Sequence, residues 1–255
     1  MYLTAAELRA ALDEAAALGE PLREVGFTGG EPFLNRELPA MLDEVLGRGL
    51  SALVLTNAMK PMANRRADLL RLRDAHGPER LRLRVSLDHY GPAMHDLERG
   101  KGSFAAATAG LAWLAREGFR VDVAGRAAFG GESDAAMRAG YARLFAALGV
   151  ATVDASDPVQ LMLFPEMDEH ADVPEITDAC WGILGKAPSS VMCAGTRMLV
   201  RRKGSGAATY VACTLLPYDP AFDLGPALAG ARGDVPLNHP HCARFCVLGG
   251  AACSR

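Results

Sequence analysis

Two groups of residues in this sequence of 255 residues have types and spacings that could do chemistry, and they lie in different parts of the chain. The first is VGFTGGEPFLN, residues 25–35, in which a short β-type run gives way to two glycines, an acid and a proline. Gly29 and Gly30 allow positive φ and close approach of a ligand to the backbone, Glu31 offers a carboxylate to an ammonium group, and Pro32 stiffens the loop. This loop is a candidate ligand site, with a plain strand-to-helix turn as the alternative.

The second group is formed by cysteines, all of which lie at or beyond Cys180. Cys193 and Cys213 flank a predicted β-hairpin, and Cys242 and Cys246 are one helical turn apart. Four thiolates from a hairpin and a short helix suit a [4Fe-4S] cluster, and tetrahedral zinc is equally compatible with these ligands. The spacing therefore predicts a metal centre whose metal the residues alone leave open.

Four nearby residues are weaker candidates. Cys180, beside Trp181, is typical of a buried thiol, and Cys253 is a candidate ligand close to the end of the sequence. His239 and His241 are candidate zinc ligands, with simple exposure as the alternative.

Composition and charge exclude several classes of partner. The formal net charge of −3 and the pI of about 6.1 favour neither nucleic acid nor an anionic membrane. No apolar run reaches the roughly 18 residues of a membrane span, and the charged, helical pattern of the first twenty or so residues is not a signal peptide. We expect a cytoplasmic protein with reduced cysteines, no nucleic acid partner and no membrane partner.

Strand patterns alternate with helical patterns through the first two thirds of the sequence, which predicts βαβ crossovers and a parallel sheet. The series opens on a helix, so it resembles one whose first strand is missing. Residues 1–165 form the predicted α/β domain, and residues 166–255 form a linker and a cysteine-rich domain. The predicted strands are residues 22–28, 53–56, 81–87, 119–124 and 159–164.

Polar residues follow several of these strands. Thr56 and Asn57 end the second strand, and Ser86 and Asp88 end the third. Because the carboxyl ends of parallel strands meet at one edge, where α/β folds bind ligands, these residues are expected at the same edge as Glu31.

The stretches VGFTGGEPFLN, LTNA, VSLDH and HDLERGKGSF make the sequence resemble the radical S-adenosylmethionine (SAM) superfamily, in that order and over roughly residues 3–165. The resemblance implies a partial (β/α)6 barrel that lacks its first strand, followed by a small cysteine-rich α+β domain. It implies that SAM is a cofactor, a small molecule whose amino group is held at Gly29, Gly30, Glu31 and Pro32. The same resemblance implies that Ser86 and Asn57 contact the ribose or the carboxylate of SAM. Arg126 is a further candidate for that carboxylate.

One defining feature of the superfamily is missing from the sequence. The Cys-x3-Cys-x2-Cys loop, which binds the [4Fe-4S] cluster that cleaves SAM reductively to a 5′-deoxyadenosyl radical, has no counterpart before Cys180. The expectation is that Met1 is a late start or that the chain is a fragment. That cluster is expected only if the missing amino-terminal segment is present. The alternative is a degenerate protein that never had the loop.

The tail is similar to the auxiliary domains called SPASM or twitch, and this resemblance favours an auxiliary [4Fe-4S] cluster at Cys193, Cys213, Cys242 and Cys246, with zinc as the alternative. The implied function of the complete protein is reductive cleavage of SAM and hydrogen abstraction from a substrate, for example a peptide, with a reductant protein as partner. The chain alone is expected to be inactive, and no catalytic residue is identified. The alternatives are a non-catalytic SAM- or metal-binding partner subunit and an ordinary barrel enzyme with a zinc-stabilised tail.

Overall fold

The computed structural model of the protein describes residues 2–127, 131–166, 168, 170 and 172–248. The chain divides into two compact units, one formed by Pro21–Glu166 and the other by Met1–Glu20 together with Met167–Arg255. The boundary between these units at Glu166 lies next to the one that the sequence predicts after residue 165. The first helix, however, groups with the cysteine-rich tail and not with the sheet that follows it.

The unit Pro21–Glu166 is built on a five-stranded parallel sheet in the order β1-β2-β3-β4-β5, so the predicted α/β class is confirmed. Strands and helices alternate as the sequence pattern predicts. β1 lies at one edge of the sheet, and its residues are only partly buried. The strands are β1 (Glu24–Phe27), β2 (Ser51–Thr56), β3 (Leu81–Ser86), β4 (Arg120–Arg126) and β5 (Leu161–Phe164).

Helices follow the strands and cover their apolar residues. α2 and α6 each bury a stripe of leucine, valine or alanine residues, as helices that pack on a sheet do. The helices of this unit are α2 (Leu38–Gly47), α3 (Lys60–Ala63), α4 (Arg66–His76), α5 (Pro92–Arg99), α6 (Ser103–Arg116) and α7 (Asp134–Leu148).

β3 illustrates how alternation along a strand creates two different faces. Leu83 and Val85 point to one side and are fully buried, whereas Arg82 and Arg84 point to the other and are also buried. Both guanidinium groups lie near the carboxylate of Asp122 on β4, at 3.5 and 3.4 Å. Burial raises the pKa of Asp122, and the two arginines oppose that rise. Replacement of Asp122 by a neutral residue would therefore leave the buried charges of Arg82 and Arg84 without this partner.

The other unit begins with α1 (Ala5–Ala17), whose amino terminus is the predicted capping box between Thr4 and Glu7. Glu7 also accepts from Arg201, and the Glu14 carboxylate accepts from the amide of Leu228 at 2.7 Å. These bonds fix α1 to the tail.

The tail carries a three-stranded antiparallel sheet in which the predicted hairpin pairs in register and a third strand is added. A π-helix, Cys242–Leu248, takes the place of the predicted short helix. The remaining elements are α8 (Ala179–Leu184), α9 (Met192–Gly195), β6 (Met198–Val200), β7 (Thr209–Val211) and β8 (Asp223–Gly225).

Across the described ranges, none of the helices combines the length and the apolar sequence that a helix needs to cross a bilayer.

Candidate functional site at the carboxyl edge of the parallel sheet

The Gly-Gly-Glu-Pro segment forms the turn between β1 and the 3₁₀ helix Pro32–Leu34. Gly29 has a φ of 135°, which residues with a side chain rarely adopt. A Cβ built on Gly29 or on Gly30 would meet no atom within 4 Å. The loop therefore presents accessible backbone at the edge of the sheet, as a ligand-binding turn requires.

The Glu31 side chain turns inward and is only 7% exposed. Its Oε1 accepts from the amide of Phe33 at 3.1 Å, its Oε2 accepts from the amide of Asn57 at 2.9 Å, and the Thr56 hydroxyl lies at 3.0 and 3.1 Å from the two oxygens. A carboxylate has about four acceptor positions, and the three donor hydrogens of these groups leave about one of them open. Glu31 thus joins the ends of β1 and β2, and its role toward an ammonium group stays a prediction.

The LTNA segment is a tight turn after β2. The Thr56 hydroxyl accepts from the amide of Ala58 at 3.0 Å, and Asn57 Oδ1 accepts from the amide of Met59 at 2.9 Å. Ala58 has a positive φ of 56°, and a Cβ on Gly110 of α6 would lie only 1.9 Å from its carbonyl oxygen. The side-chain nitrogen of Asn57, Nδ2, makes no hydrogen bond within the described residues, so a donor remains uncommitted at this edge.

Ser86 is the last residue of β3 and lies half-buried at the same edge. Thr56 pairs with Val85 in the parallel register. Asn57 and Ser86 each come one residue later and therefore occupy equivalent positions at the ends of neighbouring strands. The Ser86 hydroxyl has no hydrogen-bond partner in the part of the chain that the structure describes. Two uncommitted polar groups therefore lie at the edge of the sheet that also carries the open glycine backbone.

A set of side chains from α5 holds the chain immediately after Ser86. Arg99 donates two hydrogen bonds to the Asp88 carboxylate, at 2.7 and 2.8 Å, and the Nδ1 of His95 accepts from the Asp88 amide at 3.1 Å. His95 is fully buried, and this desolvation, together with Arg99, lowers its pKa. A neutral His95 is consistent with an Nδ1 that accepts a hydrogen bond. The HDLER segment therefore positions this edge of the sheet.

Arg126 ends β4 at the same edge. Its guanidinium forms an ion pair with Glu98 at 2.8 Å, and its amide donates to the Asp88 carbonyl at 3.1 Å. About a third of each charged side chain of this pair is exposed, which makes the pair a weak one that a ligand carboxylate would be able to displace.

Asp96 caps the next helix. Its carboxylate accepts from the amides of Gly102 and Phe104, at 2.7 and 2.8 Å, and from the Ser103 hydroxyl at 3.1 Å. The amides of Phe104 and Gly102 hold the pKa of Asp96 below its usual range. These bonds stabilise the start of α6, the helix that packs on the Ala58 turn.

The sequence placed Glu31, Thr56, Asn57, Ser86 and Arg126 at one edge but did not predict the bond between Thr56 and Glu31. It also did not predict that His95 and Arg99 hold the chain after β3. The signal for the pair was available, because residues four apart lie on the same face of a helix. The spacing of His95 and Arg99 along the sequence does not predict that both contact Asp88.

The four cysteines predicted to bind metal lie around one small cavity in the tail. Cys193 belongs to α9, Cys213 follows β7, and Cys242 and Cys246 lie on the π-helix. Cys193, Cys213 and Cys242 are buried, and all five cysteines in the described residues are free thiols. The apolar lining of the cavity includes Phe222.

Two features of the thiols bear on what this cavity would hold. Burial raises the pKa of Cys193, Cys213 and Cys242, which keeps the thiols protonated until a cation displaces the proton. The amide of Leu215 lies 3.3 Å from the sulfur of Cys213, and this hydrogen bond favours the thiolate there. Amide-to-sulfur bonds of this kind are among the interactions that tune iron–sulfur clusters.

The weaker candidates divide between this cavity and its surroundings. His241 lines the cavity, and His239 packs edge-on against His241 with their ring centroids 4.6 Å apart. Cys180 is only partly buried, contacts Thr177 and does not line the cavity. Cys253 lies outside the described residues. Among those that are described, no three His, Cys, Asp or Glu side chains are arranged to hold one metal ion.

A family model described as the Radical SAM superfamily matches residues 1–140, which is more than half of the chain. This chain therefore belongs to the radical SAM superfamily. A search of the curated proteins found no match.

Among solved structures, the chain is similar to SuiB from Streptococcus suis, with 10% identity, a TM-score of 0.47 and coverage of 70% of this chain and 37% of SuiB. The structure of SuiB bound to S-adenosylmethionine gives 11% identity, a TM-score of 0.43 and coverage of 58% and 32%. A structure of TYW1 with a lysine–pyruvate adduct gives 15% identity, a TM-score of 0.39 and coverage of 77% and 62%. The chain spans less than two thirds of the length of each of these proteins.

Proposed function

We propose that the carboxyl edge of the parallel sheet binds SAM and that the chain is the SAM-binding and auxiliary-cluster part of a radical SAM enzyme. The observation that carries the proposal is the pair of uncommitted groups, the side-chain NH₂ of Asn57 and the Ser86 hydroxyl, at the same edge of the sheet as the open backbone of Gly29 and Gly30. In a protein of this superfamily, these groups suit a ligand with an ammonium group, a carboxylate and ribose hydroxyls.

Each residue has a distinct role in this arrangement. The carbonyl groups of the glycine turn and the open acceptor position of the Glu31 carboxylate accept from the ammonium group. Glu31 holds the turn against β2. Asn57 and Ser86 bind the ribose or the carboxylate, and Arg126 binds the carboxylate when it releases Glu98.

The cluster that cleaves SAM in this superfamily does not fit the residues at this edge. SAM together with that cluster supplies the hydrogen-abstracting chemistry, and its cysteine loop has no counterpart before Cys180. We propose that the loop comes from outside these 255 residues, either in a longer form of the protein or on another chain. The DNA upstream of the Met1 codon tests the first possibility, because an in-frame Cys-x3-Cys-x2-Cys sequence is expected there.

Binding of SAM to the 255-residue chain tests the proposed site directly. Isothermal titration calorimetry with SAM should give saturable binding that weakens several-fold in Ser86→Ala, because that substitution removes a ligand contact without breaking an internal hydrogen bond. Ser189→Ala, an exposed serine of the tail, is the matched control and should bind as the wild type does. Absence of binding at millimolar SAM, or equal affinity in both variants, contradicts the site.

For the tail we propose a metal centre at Cys193, Cys213, Cys242 and Cys246. It would be an auxiliary [4Fe-4S] cluster, with zinc as the alternative. The shared cavity and the amide donated to Cys213 support this assignment, and the choice of iron rests on the family. Anaerobic reconstitution should load about four irons per chain and produce a broad charge-transfer absorption. Cys242→Ser should lose both, whereas Cys180→Ser, which lies outside the cavity, should retain them. Wild-type loading of Cys242→Ser, or stoichiometric zinc with no iron, contradicts the cluster.

A second candidate function is a non-catalytic partner subunit that binds SAM or metal, and the absence of cysteine before Cys180 favours it. Both candidates place the protein in the cytoplasm, where thiols stay reduced. The catalytic candidate also requires a reductant protein and a substrate, for which the sequence resemblance implies a peptide.

A further inference from the structure

A cavity of about 1150 Å³ lies within the tail, separate from the sheet edge described above. Its walls come from residues 173–178, α8, the start of α9 and the segment 232–240. Cys193, Val235 and Leu237 line both this cavity and the small cysteine cavity. A molecule bound in the large cavity would therefore lie against the wall of the proposed metal centre.

The acidic and basic side chains that line the cavity differ in their partners. Glu175, Asp178 and Asp234 line it with exposed carboxylates, and none has an ion-pair partner among the described residues. The two arginines of the lining do not balance these three carboxylates. Arg197 donates to four backbone carbonyls, including those of Ala231 at 2.5 Å and Cys193 at 2.6 Å.

Arg232, the other arginine, pairs with Glu20 at 2.8 Å. Because the bonds of Arg197 are to neutral carbonyls, its charge remains, and one guanidinium stands against three carboxylates in the lining. The cavity therefore favours positive charge from a ligand.

An aromatic side chain in the lining also favours a positively charged ligand. Trp181 lines the cavity and is partly buried, packing against the apolar cluster that contains Val191, Cys193 and Val247. Indole is the best aromatic partner for a guanidinium or ammonium group. Carboxylates together with a tryptophan form a recognition surface for arginine or lysine side chains.

We propose that this cavity binds a peptide segment that carries arginine or lysine. Its volume exceeds the roughly 300–1,000 Å³ of typical small-molecule pockets, which favours a chain segment over a single small cation. Binding itself requires neither SAM nor iron. Only the identification of the segment as the substrate of the chain rests on the proposed function.

A direct binding experiment tests the proposal on the full chain. The probe is a short fluorescein-labelled peptide of alternating arginine and glycine, and its control has citrulline in place of arginine, which keeps the size and removes the charge. Fluorescence anisotropy should show saturable binding of the arginine peptide that weakens with salt, because the rim charges are exposed. The citrulline peptide should not bind.

Matched variants locate the site. The triple variant Glu175→Gln, Asp178→Asn, Asp234→Asn should bind the arginine peptide at least about tenfold more weakly. A control triple variant outside the cavity, Asp74→Asn, Glu79→Gln, Glu166→Gln, removes the same charge and should bind as the wild type does. Equal affinity of the two triple variants, or equal binding of the two peptides, overturns the proposal.

An independent measurement uses tryptophan fluorescence and remains valid if the triple variant folds poorly. The chain has two tryptophans, so Trp113→Phe leaves Trp181 as the only one. The arginine peptide should shift or quench this emission at the concentration that saturates anisotropy. Unchanged emission at saturation overturns the proposed place of binding. Since no step uses SAM, loss of peptide binding and loss of SAM binding are distinguishable results.

Discussion

Glu31 is the residue on which the edge of the sheet depends most. Its carboxylate receives hydrogen bonds from Phe33, Thr56 and Asn57, which belong to two different strand-to-helix connections. The residue that a sequence motif presents as a ligand group therefore acts first as a structural acceptor. Any ligand at this edge is held by a backbone that Glu31 keeps in place.

Glu31→Gln should destabilise the protein by about 1–3 kcal/mol. Both carboxylate oxygens accept a backbone amide, so either orientation of the glutamine side chain places its NH₂ group against an N–H donor. Urea denaturation of the variant, compared with the exposed control Glu79→Gln, measures the effect. An unchanged denaturation midpoint in Glu31→Gln would show that the bonds contribute little.

At the scale of elements, residues outside α6 hold this helix at two places, its first turn and Gly110. Asp96 of α5 caps its start, and the Ala58 turn packs so closely on Gly110 that no side chain fits between them. The helix therefore links the end of β2 to the α5 segment that holds Asp88.

Gly110→Ala should lower the free energy of unfolding by about 2 kcal/mol or more, because the new Cβ would lie 1.9 Å from the Ala58 carbonyl oxygen. Gly47→Ala on α2 is the matched control, since a Cβ there meets nothing within 4 Å. Alanine in a helix is favoured over glycine by up to about 1 kcal/mol, so the control should be neutral or more stable. Equal stability changes in the two variants would contradict the close contact.

The antiparallel sheet of the tail depends on one acid. Asp223 accepts from Arg202, from the Thr209 hydroxyl at 2.8 Å and from the amide of Gly225 at 2.9 Å. These bonds, that of Arg202 first, lower the pKa of Asp223 to about 2. Asp223 therefore connects β8 to β7 and to the segment after β6.

The stability that Asp223 contributes should depend on pH in a defined window. Its pKa is depressed in the folded state, so the contribution is fully present above the unfolded pKa of about 3.9 and is lost as pH falls toward 2. The difference in unfolding free energy between the wild type and Asp223→Asn should shrink as pH decreases from about 4 to about 2. A difference that stays constant across this range argues against the ionised contacts.

At the scale of the whole molecule, the chain carries the polar edge of a parallel sheet in one unit and a cysteine-lined cavity in the other, and its sequence has no cysteine before Cys180. Within the described part of the chain, the edge strand β1 pairs with β2 and with no second strand. Such an edge is a template for a further strand.

The 255-residue chain should therefore not cleave SAM. The expected result, with purified chain, SAM and dithionite under anaerobic conditions, is no 5′-deoxyadenosine above the level without protein. A form that also carries an amino-terminal Cys-x3-Cys-x2-Cys segment is the comparison and should produce it. Enzyme-dependent product from the 255-residue chain would require a cluster site that the proposed arrangement lacks.

The sequence by itself determined the order and class of the elements and the residues that reach the sheet edge. Glycine turns, capping residues and hydrophobic periodicity are local signals, so the strand ends at Thr56 and Ser86 and the hairpin of the tail were predictable. The tertiary structure decided which side chains form hydrogen bonds and ion pairs between different elements. The bonds from Thr56 to Glu31, from Arg99 to Asp88 and from Arg201 to Glu7 join different elements, and the last placed the first helix with the tail. Such partners depend on how elements pack in space, because side-chain patterns along one element specify which face is buried but not which distant residue will meet it.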